Sequence, residues 1–240
     1  LLNRGVHLLV EKPLCPTAAE ADELVRAARS KGLVLQVGHV ERFNPALAAA
    51  LPHVSGPKYI EAVRAGRFTF RSTDTGAVLD LMIHDIDLVL CLVSAPVRRI
   101  DALGISVLGG HEDVANARLQ FECGCVAVLS ACRVGYEAVR RMHVWSPKAF
   151  ASMDFAARTT TLVRPSEALL RREIDLGALA PATPEQKDRF LEEHLRRQQC
   201  QAEAVDALAL EVADFVESVR TGRPPRVTGE DGRNAVALAE

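Results

Sequence analysis

The sequence lacks several features, and each absence narrows the function. No apolar run approaches the roughly 20 residues needed to cross a bilayer, and the most apolar stretch, DLMIHDIDLVLCLV, carries His84 inside it. No basic run stands out and the formal net charge is −2, so nothing marks a nucleic-acid surface. The opening residues, LLNRGVHLLVEKP, do not read as a signal peptide. Six cysteines among 240 residues make no disulfide-dense framework, so a reduced, cytoplasmic protein is expected. Cys123 and Cys125 form C-G-C with no second pair at metal-ligand spacing. That arrangement predicts a hairpin tip at Gly124 rather than a metal site. Internal repeats and low-complexity tracts are absent.

The composition that remains is globular, with 48% hydrophobic and 25% charged residues. The chain starts at Leu1 in mid-pattern, a helix end running into a strand, and stops at NAVALAE as an unfinished helix. The expectation is a piece of a longer protein, lacking sequence at both ends.

Val6 to Val10 reads as a buried strand. A helix follows, with Thr17 fitting the N-cap, Glu20 fitting the third helical position and Gly32 the stop. Leu33 to Val37 is a second apolar strand, so the three elements form a βαβ unit with parallel strands. Both strands end in polar chemistry, EKP and GH, where open α/β sheets place their ligands. A short helix at 46–51, a strand at 58–63 and a strong helix at 80–93 come next. Alternating segments from 97 to about 163 predict a largely antiparallel sheet. A helix is expected at 184–199, and Val205, Leu208, Val212, Phe215 and Val219 mark one face of another, closed by Gly222.

Three constellations could carry chemistry. In the apolar helix, Asp80, His84 and Asp87 share a stripe at about 100° per residue, continued by Cys91. Burying three ionisable groups without partners is costly, so the stripe must face a polar cavity or other charges. A core histidine held by Asp80 and Asp87 is the plainer alternative, and a metal site a weaker one. Lys12, at a strand exit beside Pro13, is either an exposed partner of Glu11 or a cation fixed in a cleft. GHVERFNPA supplies His39, Arg42 and Asn44, which suit either a linker turn or a polar ligand.

Together, E-K-P, G-H-x-x-R-F-N-P and D-x-x-x-H-x-x-D resemble the glucose–fructose oxidoreductase / inositol dehydrogenase (Gfo/Idh/MocA) family. The resemblance implies the fold: an α/β remnant of a Rossmann domain at 1–39, then an α+β domain at 40–240 with a large, mostly antiparallel open sheet. It implies hydride transfer between NAD or NADP and a secondary hydroxyl of a sugar or nucleotide sugar. It makes Lys12, Asp80 and His84 catalytic, and puts Glu11, Lys12, Pro13 and His39 at the cofactor. It most resembles the UDP-N-acetylglucosamine 3-dehydrogenase type, with Arg42, Asn44, Arg64, Arg71 and Asp80 as substrate ligands. An inositol or polyol dehydrogenase, or a non-catalytic binding module on the same scaffold, is the alternative. The implied partners are a small sugar or nucleotide-sugar substrate and further copies of the chain across the open sheet face, with no nucleic acid, membrane or metal. One element is missing: no G-x-G-x-x-G occurs, so the pyrophosphate cradle of a Rossmann domain is not in this sequence, and weak dinucleotide binding by the chain alone is expected.

Overall fold

The computed structural model describes residues 1–70, 73–201 and 205–240. Strand β1 (Leu8–Glu11) leads through helix α1 (Ala18–Ser30) to β2 (Leu35–Gly38), and the strands pair in parallel, Leu8 beside Leu35 through Glu11 beside Gly38. Thr17 caps α1 by accepting from the Glu20 amide, and Gly32 follows the helix at φ 62°, a turn that glycine makes without strain. The Glu20 side chain accepts from the Thr17 hydroxyl.

A 3-10 turn (Val40–Phe43) and helix α2 (Pro45–Ala50) carry the chain to β3 (Tyr59–Ala65). A π-helical turn (Val78–Met82) runs directly into α3 (Ile83–Leu92). The sheet is then built from β4 (Val97–Ile105), β5 (Val114–Phe121), β6 (Val126–Cys132), β7 (Val139–Trp145), β8 (Phe150–Asp154) and β9 (Thr159–Pro165). After α4 (Glu167–Leu170) and α5 (Pro184–His194), β10 (Leu195–Gln201) joins as an edge strand. Helices α6 (Ala207–Thr221) and α7 (Gly229–Ala239) complete the described structure.

The large sheet has eight strands in the order β10-β9-β8-β7-β3-β6-β5-β4. All its pairings are antiparallel except β3 with β6. Side chains alternate faces along each strand. One face sends Ile60, Ala62, Leu129, Met142, Val144 and Met153 into a core shared with α2 and α3. A second, smaller core joins Ala21, Ala28, Leu35 and Val37. Helix α7 returns to this smaller unit. Gly229 and Gly232 lie so close to Leu35 and Val37 that an added Cβ would come within 2.7 and 2.5 Å of them.

Three sequence expectations need correction. The expected helix at 184–199 stops at His194, and the next seven residues pair with β9, Leu195 beside Pro165 through Gln201 beside Thr159. Backbone pairing along a free sheet edge outweighs the weak helical pattern there. The expected helix at 80–93 begins as a π turn, which has the same apolar periodicity as an α-helix and is not distinguishable by pattern. In α6, Glu211 and Ser218 are buried while Leu208, Val212 and Val219 are exposed, so its apolar stripe does not face the packed interior. The Cys123–Cys125 expectation holds: Gly124, at φ 81°, forms the turn between β5 and β6.

Candidate active site

The carboxyl ends of β1 and β2 deliver Glu11 and Lys12 beside Gly38 and His39. Gly38 lies close against β1: a Cβ there would be 3.2 Å from the Glu11 Cα and 2.8 Å from its carboxylate, which would have to swing away. Lys12 reaches across to the π turn. Its Nζ donates to the Asp80 backbone carbonyl at 2.6 Å and lies 3.6 Å from Asp80 Oδ1. One turn further on, His84 lines a cavity of about 610 Å³ whose wall also includes Asp80, Arg64, Arg133 and Arg140. The rings of His39 and His84 stand edge to face with centroids 6.5 Å apart.

The electrostatics follow from burial. Loss of hydration pushes the Lys12 ammonium below its ordinary value, and Asp80 opposes this only in part. Burial, then the charges of Arg64 and Lys12, push His84 well below the ordinary histidine value. Burial also lowers His39. Both histidines are therefore neutral near pH 7, as a group that accepts a proton must be.

Behind this wall lies a buried ionic network. Arg64 donates to both oxygens of Asp85 at 3.0 Å and to Glu41 at 3.0 Å. Arg42 grips Asp87 with two hydrogen bonds of 2.7 and 2.8 Å. Asn44 caps α2 through the Ala46 amide and donates to Glu41 and to the Phe155 carbonyl. Of the substrate ligands expected from sequence, Arg64 and Asp80 line the cavity, but Arg42 and Asn44 do not. The fork of Arg64 is held by carboxylates on the protein side. Arg71 lies outside the described residues. The stripe of Asp80, His84 and Asp87 is thus divided: Asp80 and His84 reach the cavity, while Asp87 serves Arg42. Pro13 follows Lys12 across a cis peptide bond. Sequence reasoning missed Asp85, although a fourth ionisable group in so apolar a helix signalled a buried cation opposite it.

A nicotinamide end of a dinucleotide fits this edge on one observation. Both ring nitrogens of His39 and Nδ1 of His84 are buried and take no hydrogen bond among the described residues. Buried polar atoms of this kind require a partner. Glu11, Lys12, Pro13 and His39, at the carboxyl ends of β1 and β2, are the residues that could hold it. Among the described residues no group of three His, Cys, Asp or Glu side chains is placed to hold a metal, and no helix is long and apolar enough to cross a membrane.

Comparison with known proteins agrees with this architecture. Residues 1–39 match the family description "Oxidoreductase family, NAD-binding Rossmann fold", and residues 51–151 match "GFO/IDH/MocA C-terminal domain". The chain is 34% identical over 239 residues to UDP-N-acetylglucosamine 3-dehydrogenase of Acidithiobacillus ferrooxidans, covering 99% of this chain and 70% of that protein. It is 26% identical to myo-inositol 2-dehydrogenase of Thermotoga maritima, over 97% of this chain and 68% of that one. A solved structure of the Acidithiobacillus enzyme superposes with a TM-score of 0.83 at 32% identity, over 99% of this chain and 70% of that chain. Levoglucosan dehydrogenase in complex with NADH shares the fold, with a TM-score of 0.80 at 14% identity and coverage of 99% and 70%. A Rossmann-type parallel unit, an open sheet domain and a lysine–aspartate–histidine set at their junction therefore coincide with the family match, and the chain belongs to the Gfo/Idh/MocA family of NAD(P)-dependent oxidoreductases.

Proposed function

We propose that Lys12, Asp80 and His84 move a proton on a secondary hydroxyl of a nucleotide sugar while NAD(H) or NADP(H) exchanges the hydride. The observation that carries this reading is the contact of Lys12 with Asp80 across 68 residues of sequence, Asp80 lining the same cavity as a neutral, buried His84. When bound, the nicotinamide supplies the hydride acceptor or donor. His84 takes the hydroxyl proton in oxidation and returns it in reduction. The Lys12 ammonium stabilises the charge that develops on the carbinol oxygen. Asp80 fixes that ammonium in place through its carbonyl and carboxylate. Arg64, clamped by Asp85 and Glu41, is part of the rigid wall against which the sugar sits.

The nucleotide sugar is favoured by the 34% identity to a UDP-N-acetylglucosamine 3-dehydrogenase. The boundary between cofactor and substrate domains is placed after His39. A cytoplasmic location and self-association through the bare face of the large sheet complete the reading. An inositol or polyol substrate is the competing assignment, and substrate profiling separates the two. A purely binding role does not explain why the lysine, aspartate and histidine are all present and assembled.

The test is turnover followed at the nicotinamide absorbance, at high cofactor concentration because no glycine-rich turn is present in this sequence. His84→Asn and Lys12→Met should each lower kcat by about 10²–10⁴-fold, the usual contribution of a positioned acid–base group. Wild-type rates in both variants would refute the residue roles.

A further inference from the structure

The cavity at His84 does not end there. Arg67, Phe68, Arg133 and Tyr136 line both it and an adjoining cavity of about 770 Å³. Four arginines stand on the inner wall, and they are not equivalent. Arg64 is held by Asp85 and Glu41. Arg133 is held by Asp113 at 2.7 Å and by the Thr75 carbonyl. Arg67 donates only to the Tyr136 carbonyl at 3.3 Å, and Arg140 takes no side-chain hydrogen bond or ion pair among the described residues. Two guanidinium groups therefore lack a carboxylate there, and both line the cavity of the reacting site.

The outer cavity differs in character. Tyr136 is 90% exposed and Phe70 is 84% exposed, and both line it. Phe70 stands edge-on to Phe68 at 5.1 Å, and Arg133 lies over the Phe68 ring at 5.3 Å. Exposed aromatic rings on a concave surface mark a place where flat apolar groups dock. From inside outward the order is proton-transfer groups, uncompensated cations, then aromatic rings.

We propose that the outer cavity and its junction with the inner one form a nucleoside-diphosphate subsite, in which Arg67 at the junction and Arg140 on the inner wall bind the diphosphate and Tyr136 and Phe70 flank the base. This rests on the sugar-dehydrogenase reading of the inner cavity. It adds that the substrate spans both cavities, with its sugar at Asp80 and His84 and its diphosphate at their junction. Forked guanidinium groups suit the oxygens of a diphosphate, and base stacking on an aromatic side chain adds affinity with little demand for sequence or register. A free hexose would fill only the inner part.

The test is calorimetric titration of the whole chain with UDP. UDP should bind the wild type, and Arg67→Ala/Arg140→Ala should weaken it at least about tenfold, as loss of charge-assisted hydrogen bonds does. Tyr136→Ala should weaken UDP but not inorganic pyrophosphate. All three positions are exposed, and thermal melts confirm that the variants fold. No UDP binding by the wild type, or equal affinity in the double variant, would overturn the subsite. So would displacement of UDP by NADH, since the diphosphate site would then belong to the cofactor. The outcome is separable from the dehydrogenase reading because UDP binding needs no hydride transfer. Turnover of a UDP-sugar with KM unaffected by the arginine variants sinks the subsite alone. Arginine-dependent UDP binding without turnover of any sugar supports the subsite and counts against the dehydrogenase.

Discussion

Burial decides the protonation of the two side chains that give the site its chemistry. His84 sits among Arg64, Lys12 and Arg140 with little water, so its charged form is doubly disfavoured. Its titration midpoint should lie below pH 6.5, and the acid limb of the oxidation rate should lie there too. Ring-proton NMR, assigned with His84→Asn, checks the midpoint without needing turnover. A value at or above 6.5 would contradict the burial argument. Glu211 shows the same effect on an acid. It is 1% exposed, neither carboxyl oxygen has a partner among the described residues, and burial with the nearby Glu11 charge pushes it up to about 7. The unfolded chain loses this proton near pH 4.5 and the folded chain near 7, so between those values the folded state holds more protons and stability falls as pH rises. Glu211→Gln cannot ionise. Its unfolding free energy should be flatter over that window and higher at pH 8 by about 2 kcal/mol. Lys12, Asp80 and His84 stood out in sequence as charged groups at a strand exit and inside an apolar helix, but it was the family resemblance, not their spacing, that grouped them as one set. The partners of Arg42 and Arg64 were not legible. An arginine that will meet a substrate and one that will meet Asp87 or Asp85 are the same letter until the chain is folded.

At the scale of elements, the turn from 78 to 92 does the positioning. Its π-helical start presents Asp80 to Lys12, and its α-helical part sends His84 to the cavity, Asp85 to Arg64 and Asp87 to Arg42. Four ionisable residues within eight positions thus leave on different sides of one apolar segment. Periodicity found the element but treated it as a regular helix, and it grouped Asp87 with the reacting pair. The Arg64–Asp85–Glu41 network ties α3 to β3 and to the 3-10 turn after His39, so it holds the cavity wall in register with the parallel unit. Removing one partner leaves a buried charge without compensation. Asp85→Ala should therefore lower stability by about 3–5 kcal/mol, read as a lower urea midpoint with an unchanged slope. Asp101→Ala, which removes an exposed pair with Arg99, should cost less than about 1 kcal/mol in the same measurement. Equal losses in the two variants would mean that the buried network does not hold the wall.

At the scale of the whole molecule, the main core of the described residues packs on one face of the large sheet. The alternation that made its strands legible also predicts two unlike faces, and the covered one packs on α2 and α3. The other carries Tyr59, Val63, Val128, Trp145 and Phe150, with the Tyr59–Trp145 and Trp145–Phe150 rings each 5.0 Å apart. Antiparallel sheets tolerate one wet face when it is polar, but valines and stacked aromatic rings favour cover by another apolar surface. The self-association proposed above therefore places this face in the interface, with Val128 near its centre between Glu61 of β3 and Arg118 of β5. A second copy would bury that valine against apolar atoms, whereas a charged side chain there would lose its water on association. Val128→Arg should convert the assembly to monomers by sedimentation velocity. The folded subunit should survive, because Glu61 lies directly across the strand pair and can accept the new charge. Unchanged circular dichroism with a monomer mass is the expected result. A wild-type chain that sediments as a monomer, or a Val128→Arg variant that still assembles, would remove this face from the interface.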